Sequence, residues 1–181
     1  MSRFLLLHGL EGSGEGHWQR WLAARLRADG HDVSFPDLPD AEMPRVGPWL
    51  ETLDRELEPG TTVLCHSLGC LLWLHHAARL PAVQAGRVLL VAPVQPDDDQ
   101  PESEGFRPTP LSREGVAAAA RETQLVCSTD DPWCDPDTSR RIAQAIGAPI
   151  HWLKRAGHVN AAAGYGPWPW VEEWALAGST P

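Results

Sequence analysis

The sequence lacks long hydrophobic runs and carries little positive charge. No stretch approaches the roughly 20 apolar residues that a membrane-spanning helix needs. The apolar run at residues 4–7 is too short for the core of a signal peptide. Lysine and arginine number 15 against 24 aspartates and glutamates, which gives a formal net charge of −9. This balance disfavours nucleic acid and anionic membranes as partners. Because the sequence predicts neither a signal peptide nor a membrane span, we expect a cytoplasmic protein.

Cysteine is also scarce, and its spacing excludes the common metal-binding and redox motifs. The four cysteines form no CxxC pair; they are Cys65, Cys70, Cys127 and Cys134. Two of them fall in strand-like runs, so we expect reduced, mostly buried thiols rather than disulfides or metal ligands. Histidine, aspartate and glutamate form no cluster with metal-ligand spacing either. We therefore expect neither a metal nor a cofactor.

What the sequence does contain is an alternation of short strands and helices. At 181 residues the chain is long enough to fold as one domain, residues 1–181, without disulfides. Continuous apolar runs predict strands at 3–7, 33–35, 62–65, 87–92, 124–128 and 149–153. Helical spacing predicts helices at 17–28, 46–57, 68–80, 136–146 and 168–177. The alternation is typical of α/β proteins, in which helices cover both faces of a mostly parallel sheet.

Residues 93–115 interrupt this alternation. They contain five of the 17 prolines and an acidic run at 97–99. Proline lacks the backbone donor that regular structure requires, so we predict an irregular excursion with at most a short helix. The segment is either an insertion beside a neighbouring site or a cap over it.

The most informative stretch is TTVLCHSLGC at residues 61–70. An apolar strand runs directly into Ser67, and a helix-like run begins at Leu68. A serine at the tip of such a strand–turn–helix unit has its hydroxyl lifted clear of the sheet, as in a nucleophile elbow. Ser67 is therefore our candidate nucleophile, and a structural helix N-cap is the alternative. The usual pattern is G-x-S-x-G, and Cys65 stands at the first glycine position here.

A serine nucleophile needs a base to take its proton and an acid to orient that base. In sheet-based hydrolases these follow later strands, in the chain order serine, aspartate or glutamate, histidine. The predicted strand at 124–128 leads into Asp130 and Asp131, and the last strand leads to His158. His158 is the candidate base. On position alone, either aspartate could be its partner.

Further residues are candidates for contacts with a substrate. The tetrahedral intermediate of acyl transfer needs backbone N–H donors directed at its oxyanion. Leu68, which follows the nucleophile, would supply one donor, and Leu10, in the loop after the first strand, the other. Three large side chains close to the same loops are candidate substrate-binding residues: His17, Trp18 and Trp133.

Several motifs together resemble one protein family. They are LLHG (6–9), a Gly-Ser-Gly, HW (17–18), FPDLP (35–39), HSLGC (66–70), VAP (91–93), STDDP (128–132), GHVN (157–160) and GYGPWP (164–169). They extend over nearly the whole chain. On these residues the chain resembles the small serine hydrolases of the YdeN and retinoblastoma-binding-protein type, within the α/β-hydrolase superfamily.

The resemblance implies a compact hydrolase with a minimal cap and a triad of Ser67, Asp131 and His158, thus favouring the aspartate that precedes proline. It also implies that Asn160 and the GPWP segment fix the histidine loop. We predict a three-layer αβα fold whose mostly parallel six-stranded sheet has the order 2-1-3-4-5-6. The expected substrates are small carboxylic esters, thioesters or amides.

A different class of function is the alternative. The same fold could serve as a protein-binding module with a vestigial triad, because fold alone does not determine function. The cysteine at the first glycine position and the protein-binding name attached to the family both keep this alternative open. The protein partner it would need is not identified by the sequence.

Overall fold

Six apolar runs form the strands of one sheet in the computed structural model, which describes residues 1–96 and 101–177. The strands are β1 (Arg3–Leu7), β2 (Asp32–Ser34), β3 (Thr62–His66), β4 (Ala85–Val91), β5 (Ala120–Ser128) and β6 (Ile150–Leu153). All neighbours pair in parallel in the order β2-β1-β3-β4-β5-β6, which confirms the predicted topology. The direction of winding reverses between β1 and β3, and such a reversal opens a crevice at the carboxyl edge of the sheet.

Helices connect the strands. They are α1 (Trp18–Ala28), α2 (Val46–Glu56), α3 (Leu68–Ala78), α4 (Arg113–Ala119), α5 (Pro136–Ile146) and α6 (Pro169–Leu176). Local sequence fixes their ends, as α5 illustrates. Asp135 accepts the backbone N–H groups of Asp137 and Thr138 at its start, and Gly147 ends it with a φ of 74°. No helix within residues 1–96 or 101–177 is long and apolar enough to cross a membrane.

The sheet is buried on both faces, which produces three layers. Along β1, Phe4 and Leu6 belong to one hydrophobic core, Leu5 and Leu7 belong to the other, and all four are fully buried. Helices α1 and α6 close the first core, and α2 to α5 close the second. Because helices cover both faces, the strands need no polar alternation, and this explains the continuous apolar runs of the sequence. The predicted αβα architecture is confirmed.

The segment after β4 is more regular than predicted. Pro101–Phe106 forms a 3-10 helix, and α4 begins inside the stretch predicted to be irregular. Ser112 caps α4 by accepting the backbone N–H of Gly115. The alanines at 117–119 supply strong helix formers within α4. All the prolines of this segment precede α4, so they do not predict whether residues 113–119 form a helix.

The start of β5 also differs from the prediction. The strand begins at Ala120 rather than at residue 124, because its first residues pair with β4 as far back as Ala85. Those first residues are short of apolar side chains, so the hydrophobic pattern alone missed them. The acidic run at 97–99 lies outside the described residues. On either side of it, Val94 and Ser103 contribute to the wall of the main cavity.

Candidate active site

Ser67 occupies the sharp turn between β3 and α3. Its backbone has φ 56° and ψ −123°, a conformation that costs energy for any residue with a side chain. The backbone N–H of Ser67 donates to the carbonyl of Val91 at 3.0 Å, which ties the turn to the end of β4. A Cβ at Gly69 would lie 2.6 Å from the carbonyl oxygens of Leu7 and His8, so the helix reaches the end of β1 only with glycine there.

The other end of the turn carries Cys65, the departure from the usual glycine pattern. Cys65 is fully buried within β3, where it pairs with Leu7 on one side and Leu90 on the other. Burial raises the pKa of its thiol, so the side chain is an apolar core group. The turn around Ser67 therefore forms with cysteine at this position. All four cysteines are free and buried, as predicted.

Ser67, His158 and Asp131 lie in one hydrogen-bonded series. The Nε2 atom of His158 is 2.9 Å from the Ser67 hydroxyl, and its Nδ1 atom is 2.9 Å from each Asp131 carboxylate oxygen. A carboxylate only accepts hydrogen bonds, so Nδ1 carries the proton and Nε2 is left to accept from the serine. The three residues are 7–9 % exposed, so the series lies largely out of bulk water.

The two adjacent aspartates have different contacts. Asp131 faces the imidazole, and it also accepts the backbone N–H of Trp133 at 2.9 Å. Asp130 instead accepts the Ser128 hydroxyl at 2.7 Å and the backbone N–H of Gly157 at 2.9 Å. These hydrogen bonds hold the pKa of the Asp130 carboxyl below its usual value. Asp130 therefore joins the two loops, while Asp131 contacts the histidine ring.

His66 supports the histidine loop from the other side. Its Nε2–H donates to the carbonyl oxygen of His158 at 2.9 Å. Burial, followed by the nearby His158 and His17 side chains, lowers the pKa of His66 well below its usual value, so its imidazole is neutral. His66 is not among the candidate site residues predicted from the sequence. The partner lies 92 positions away, and no local pattern announces such a contact.

A cavity of about 610 Å³ opens above the serine. The loop that follows β1 forms one side of it, and this loop passes so close to the nucleophile that a Cβ at Gly9 would lie 2.7 Å from Ser67 Cβ. Leu10 and Leu68 both line the cavity. Within the described residues, no acceptor takes the backbone N–H of either leucine. Both residues predicted to supply the oxyanion donors therefore line the cavity, and among the described residues neither backbone N–H has an acceptor.

The three candidate substrate-binding side chains separate in the structure. His17 and Trp133 line the cavity, and Trp133 is 47 % exposed. Trp18 does not line it, and this part of the prediction is wrong. Trp18 is the first residue of α1, on the helix face that packs on the sheet, and its fully buried ring meets Trp168 edge-on at 5.5 Å. The N-cap and the first residue of α1 therefore lie in different environments: His17 lines the cavity, and Trp18 belongs to the core.

The tail after His158 is held by its own hydrogen bonds. Asn160 accepts the backbone N–H of Ala163 through its side chain and that of Tyr165 through its carbonyl. The carbonyl of Tyr165 in turn accepts the N–H of Trp18, which links this tail to the start of α1. Asn160 also lines the cavity. These contacts fit the role in fixing the histidine loop that the resemblance implied for Asn160. For the GPWP segment that role stays a prediction.

Fold and site together define the class of protein. A three-layer αβα sheet in this strand order, with a serine on the turn after β3, is the architecture of the α/β hydrolases. The chain belongs to the serine hydrolase family, whose family model matches residues 4–175. This membership confirms the family inferred from the motifs and supports hydrolase activity.

Individual relatives agree with this assignment. The chain is 28% identical over 171 residues to YdeN of Bacillus subtilis (strain 168), a protein named as a hydrolase; the match covers 92% of this chain and 90% of YdeN. The crystal structure of the ydeN gene product superimposes with a TM-score of 0.86 at 25% identity, over 100% of both chains. A YdeN-like protein from Pectobacterium atrosepticum has a TM-score of 0.81 at 23% identity, over 98% of this chain and 91% of the other.

Proposed function

We propose that the protein hydrolyses small carboxylic esters through a Ser67–His158–Asp131 triad and an acyl-enzyme. The observation that carries the proposal is the series of hydrogen bonds from Asp131 through His158 to Ser67, each 2.9 Å long, at the floor of an open cavity. Such a series is the arrangement that activates a serine hydroxyl. Thioesters and amides are substrates of the same chemistry.

The geometry supports a two-step reaction. The Ser67 oxygen attacks the carbonyl carbon while its proton passes to His158 Nε2, and Asp131 stabilises the resulting imidazolium. His158 then donates that proton to the leaving group, and an acyl-enzyme forms. A water molecule, deprotonated by His158, attacks the acyl carbon and releases the acid and the free serine. Leu10 and Leu68 would stabilise the oxyanion through their backbone N–H groups in both steps.

The cavity wall supports a preference for small substrates without negative charge. Its lining residues include the carboxylates Glu11 and Glu15, and within the described part of the chain they include no lysine or arginine. An anionic acyl or leaving group would meet negative potential there without a cationic partner. The volume of about 610 Å³ suits a ligand of modest size.

A fluorophosphonate probe tests the proposal directly, because it reacts with activated serines. We expect the wild type to be labelled, the Ser67→Ala variant to escape labelling, and ester hydrolysis by that variant to fall by at least about 10⁴-fold. Ser13→Ala is the matched control, because the Ser13 hydroxyl already donates a hydrogen bond to the side chain of Gln19. This variant should still be labelled at Ser67. If the wild type neither reacts with the probe nor hydrolyses any ester between about pH 6 and 9, the enzyme proposal fails. A non-catalytic binding module would then be the better explanation.

A further inference from the structure

His17 is a polar side chain in the cavity wall that the proposed reaction does not use. His17 is the N-cap of α1, and its Nδ1 atom accepts the backbone N–H of Gln19 at 3.2 Å. An imidazole nitrogen that accepts a hydrogen bond carries no proton, so the proton of the neutral ring is on Nε2. The helix start therefore fixes both the tautomer and the orientation of this ring.

The ring is neutral over the pH range in which a serine hydrolase works. Burial is the main cause that lowers the pKa of His17, to about 4, and the nearby His158 and Arg20 side chains lower it further. The side chain is thus a neutral donor through Nε2–H, and it competes neither for the proton of Ser67 nor for that of His158.

The Nε2–H group of His17 is open to the cavity. Within the described residues no acceptor takes it. It is also not enclosed in the protein interior, unlike the indole N–H groups of Trp18 and Trp73, which are buried and have no partner among the described residues. His17 is only 6 % exposed and lines the main cavity, so the cavity is the space that this donor faces.

This donor lies close to the reacting groups. The ring of His17 meets the ring of His66 at 4.7 Å between centroids, and the ring of His66 lies 5.0 Å from that of His158. The ring of His66 thus lies against both His17 and His158, and all three residues line the same cavity. We expect a ligand atom beside His17 to lie on the side of the cavity that holds the triad.

We propose that His17 donates a hydrogen bond from Nε2–H to the substrate and selects uncharged esters or amides that carry an acceptor oxygen beside the scissile group. The inference rests on the proposed function and narrows its substrate class. Carbonyl, ether and hydroxyl oxygens are suitable acceptors. Carboxylates are disfavoured, because Glu11 and Glu15 line the same cavity. A substrate without an acceptor leaves the donor without a partner, and such a lost hydrogen bond lowers the specificity ratio by about tenfold.

Two variants separate the two nitrogens of His17. His17→Asn retains an acceptor for the helix cap, because asparagine is a good N-cap residue, but it is too short to replace Nε2. His17→Gln extends an amide N–H toward the position of Nε2 while weakening the cap. His17→Ser is a second cap-retaining variant, which carries the test if the asparagine variant does not fold.

The substrates are two pairs of esters that differ by one atom. One pair varies the leaving group, 2-methoxyethyl acetate against n-butyl acetate. The other varies the acyl group, methyl 3-methoxypropanoate against methyl pentanoate. For each enzyme, kcat/KM for the ether is divided by kcat/KM for the alkyl ester. Comparing these ratios between enzymes cancels the intrinsic reactivity of the esters.

We expect His17→Asn to lower this ratio by about tenfold in at least one pair, mainly through KM, and His17→Gln to preserve it. An unchanged ratio in both pairs for His17→Asn would overturn the inference, and so would an equal fall in both variants. The proposed function is judged separately. If the wild type is labelled at Ser67 and hydrolyses n-butyl acetate, the proposed ester hydrolysis stands, whichever way the ratio of kcat/KM values changes.

Discussion

The two sides of the cavity are built on opposite principles. One side, here called the bonded wall, consists of the loops after β3, β5 and β6, and its polar side chains around the triad are engaged with one another or with the backbone. His66 holds the His158 carbonyl, and Asp130 holds the backbone of Gly157. The other side, the glycine-rich wall, is the loop at residues 9–17. There Leu10 and His17 line the cavity, and neither the Leu10 N–H nor the His17 Nε2–H has an acceptor among the described residues.

Because their hydrogen bonding differs, the two walls are suited to different tasks. Positioning an activated serine requires its partners to be held within a fraction of an ångström, and interlocking hydrogen bonds between loops provide this. Binding an oxyanion or a polar substrate requires donors that have no other partner, because those donors must be available to the ligand. Variants in the bonded wall should therefore reduce the rate for every substrate, and variants in the glycine-rich wall should alter binding or the oxyanion.

The aspartate pair provides the largest expected contrast. In Asp131→Asn the amide cannot stabilise the imidazolium and can hold His158 in the wrong tautomer, so we expect kcat to fall by about 10⁴-fold. Steady-state kinetics with one ester and circular dichroism of the folded state measure the effect.

Asp130→Asn is the matched control within the bonded wall. Its amide oxygen can still accept from Ser128 or from the N–H of Gly157, so we expect a loss of no more than about tenfold. A larger loss in Asp130→Asn than in Asp131→Asn would reverse the roles assigned to the two carboxylates.

Gly9 marks the point where the two walls meet. In Gly9→Ala the new Cβ would lie 2.7 Å from Ser67 Cβ and 3.0 Å from its oxygen, so the loop or the serine must shift. A shift of several tenths of an ångström displaces the neighbouring Leu10 N–H from the oxyanion, and we expect kcat/KM to fall by about 10²-fold. Fluorophosphonate labelling rates give an independent measure of the same displacement.

Gly14→Ala is the control for Gly9→Ala in the same loop. No heavy atom of the described residues lies within 4 Å of a Cβ added there, and Gly14 does not have a positive φ. We expect less than about a twofold change in kcat/KM, because the new methyl group meets open space. An equal loss in both variants would show that loop flexibility, rather than the close approach to Ser67, governs the rate.

Much of the bonded wall could be predicted from sequence, because parallel strands end at one edge of the sheet. Ser67, Asp131 and His158 each follow a strand, and the topology brings strand ends together whatever the loops contain. The choice between Asp130 and Asp131 could not follow from position. It depends on the direction of each side chain within a turn, and the resemblance to a family rather than any spacing favoured Asp131.

Two kinds of feature could not be predicted from the sequence. His66 binds a carbonyl 92 positions away, and such a contact exists only after the sheet and both loops are formed. Trp18 and His17 are adjacent in sequence, yet the helix turns one toward the core and leaves the other at the cavity. A rotation of about 100° per residue makes that distinction sensitive to where the helix begins, and sequence patterns locate helix ends only to within a few residues.

The smallest expected effect concerns the stability of the bonded wall rather than catalysis. The pKa of His66 is lowered in the folded protein, so the unfolded chain binds more protons as pH falls below about 6.5, and stability decreases in that range. In His66→Gln this titrating group is absent. Between about pH 6.5 and 5.5, the free energy of unfolding of the wild type should therefore decrease by about 1 kcal/mol more than that of the variant. Urea unfolding at the two pH values measures the difference.

The glutamine is chosen because its amide N–H can still donate to the carbonyl of His158, so His66→Gln removes the proton equilibrium and retains the contact. The buried His8 and His17 also have lowered pKa values, so the variant should retain part of the pH dependence. If His66→Gln and the wild type lose stability in parallel, His66 is protonated in the folded state. An imidazolium at that position would place a positive charge against the ring of His158, and the bonded wall would then oppose the imidazolium that the reaction requires.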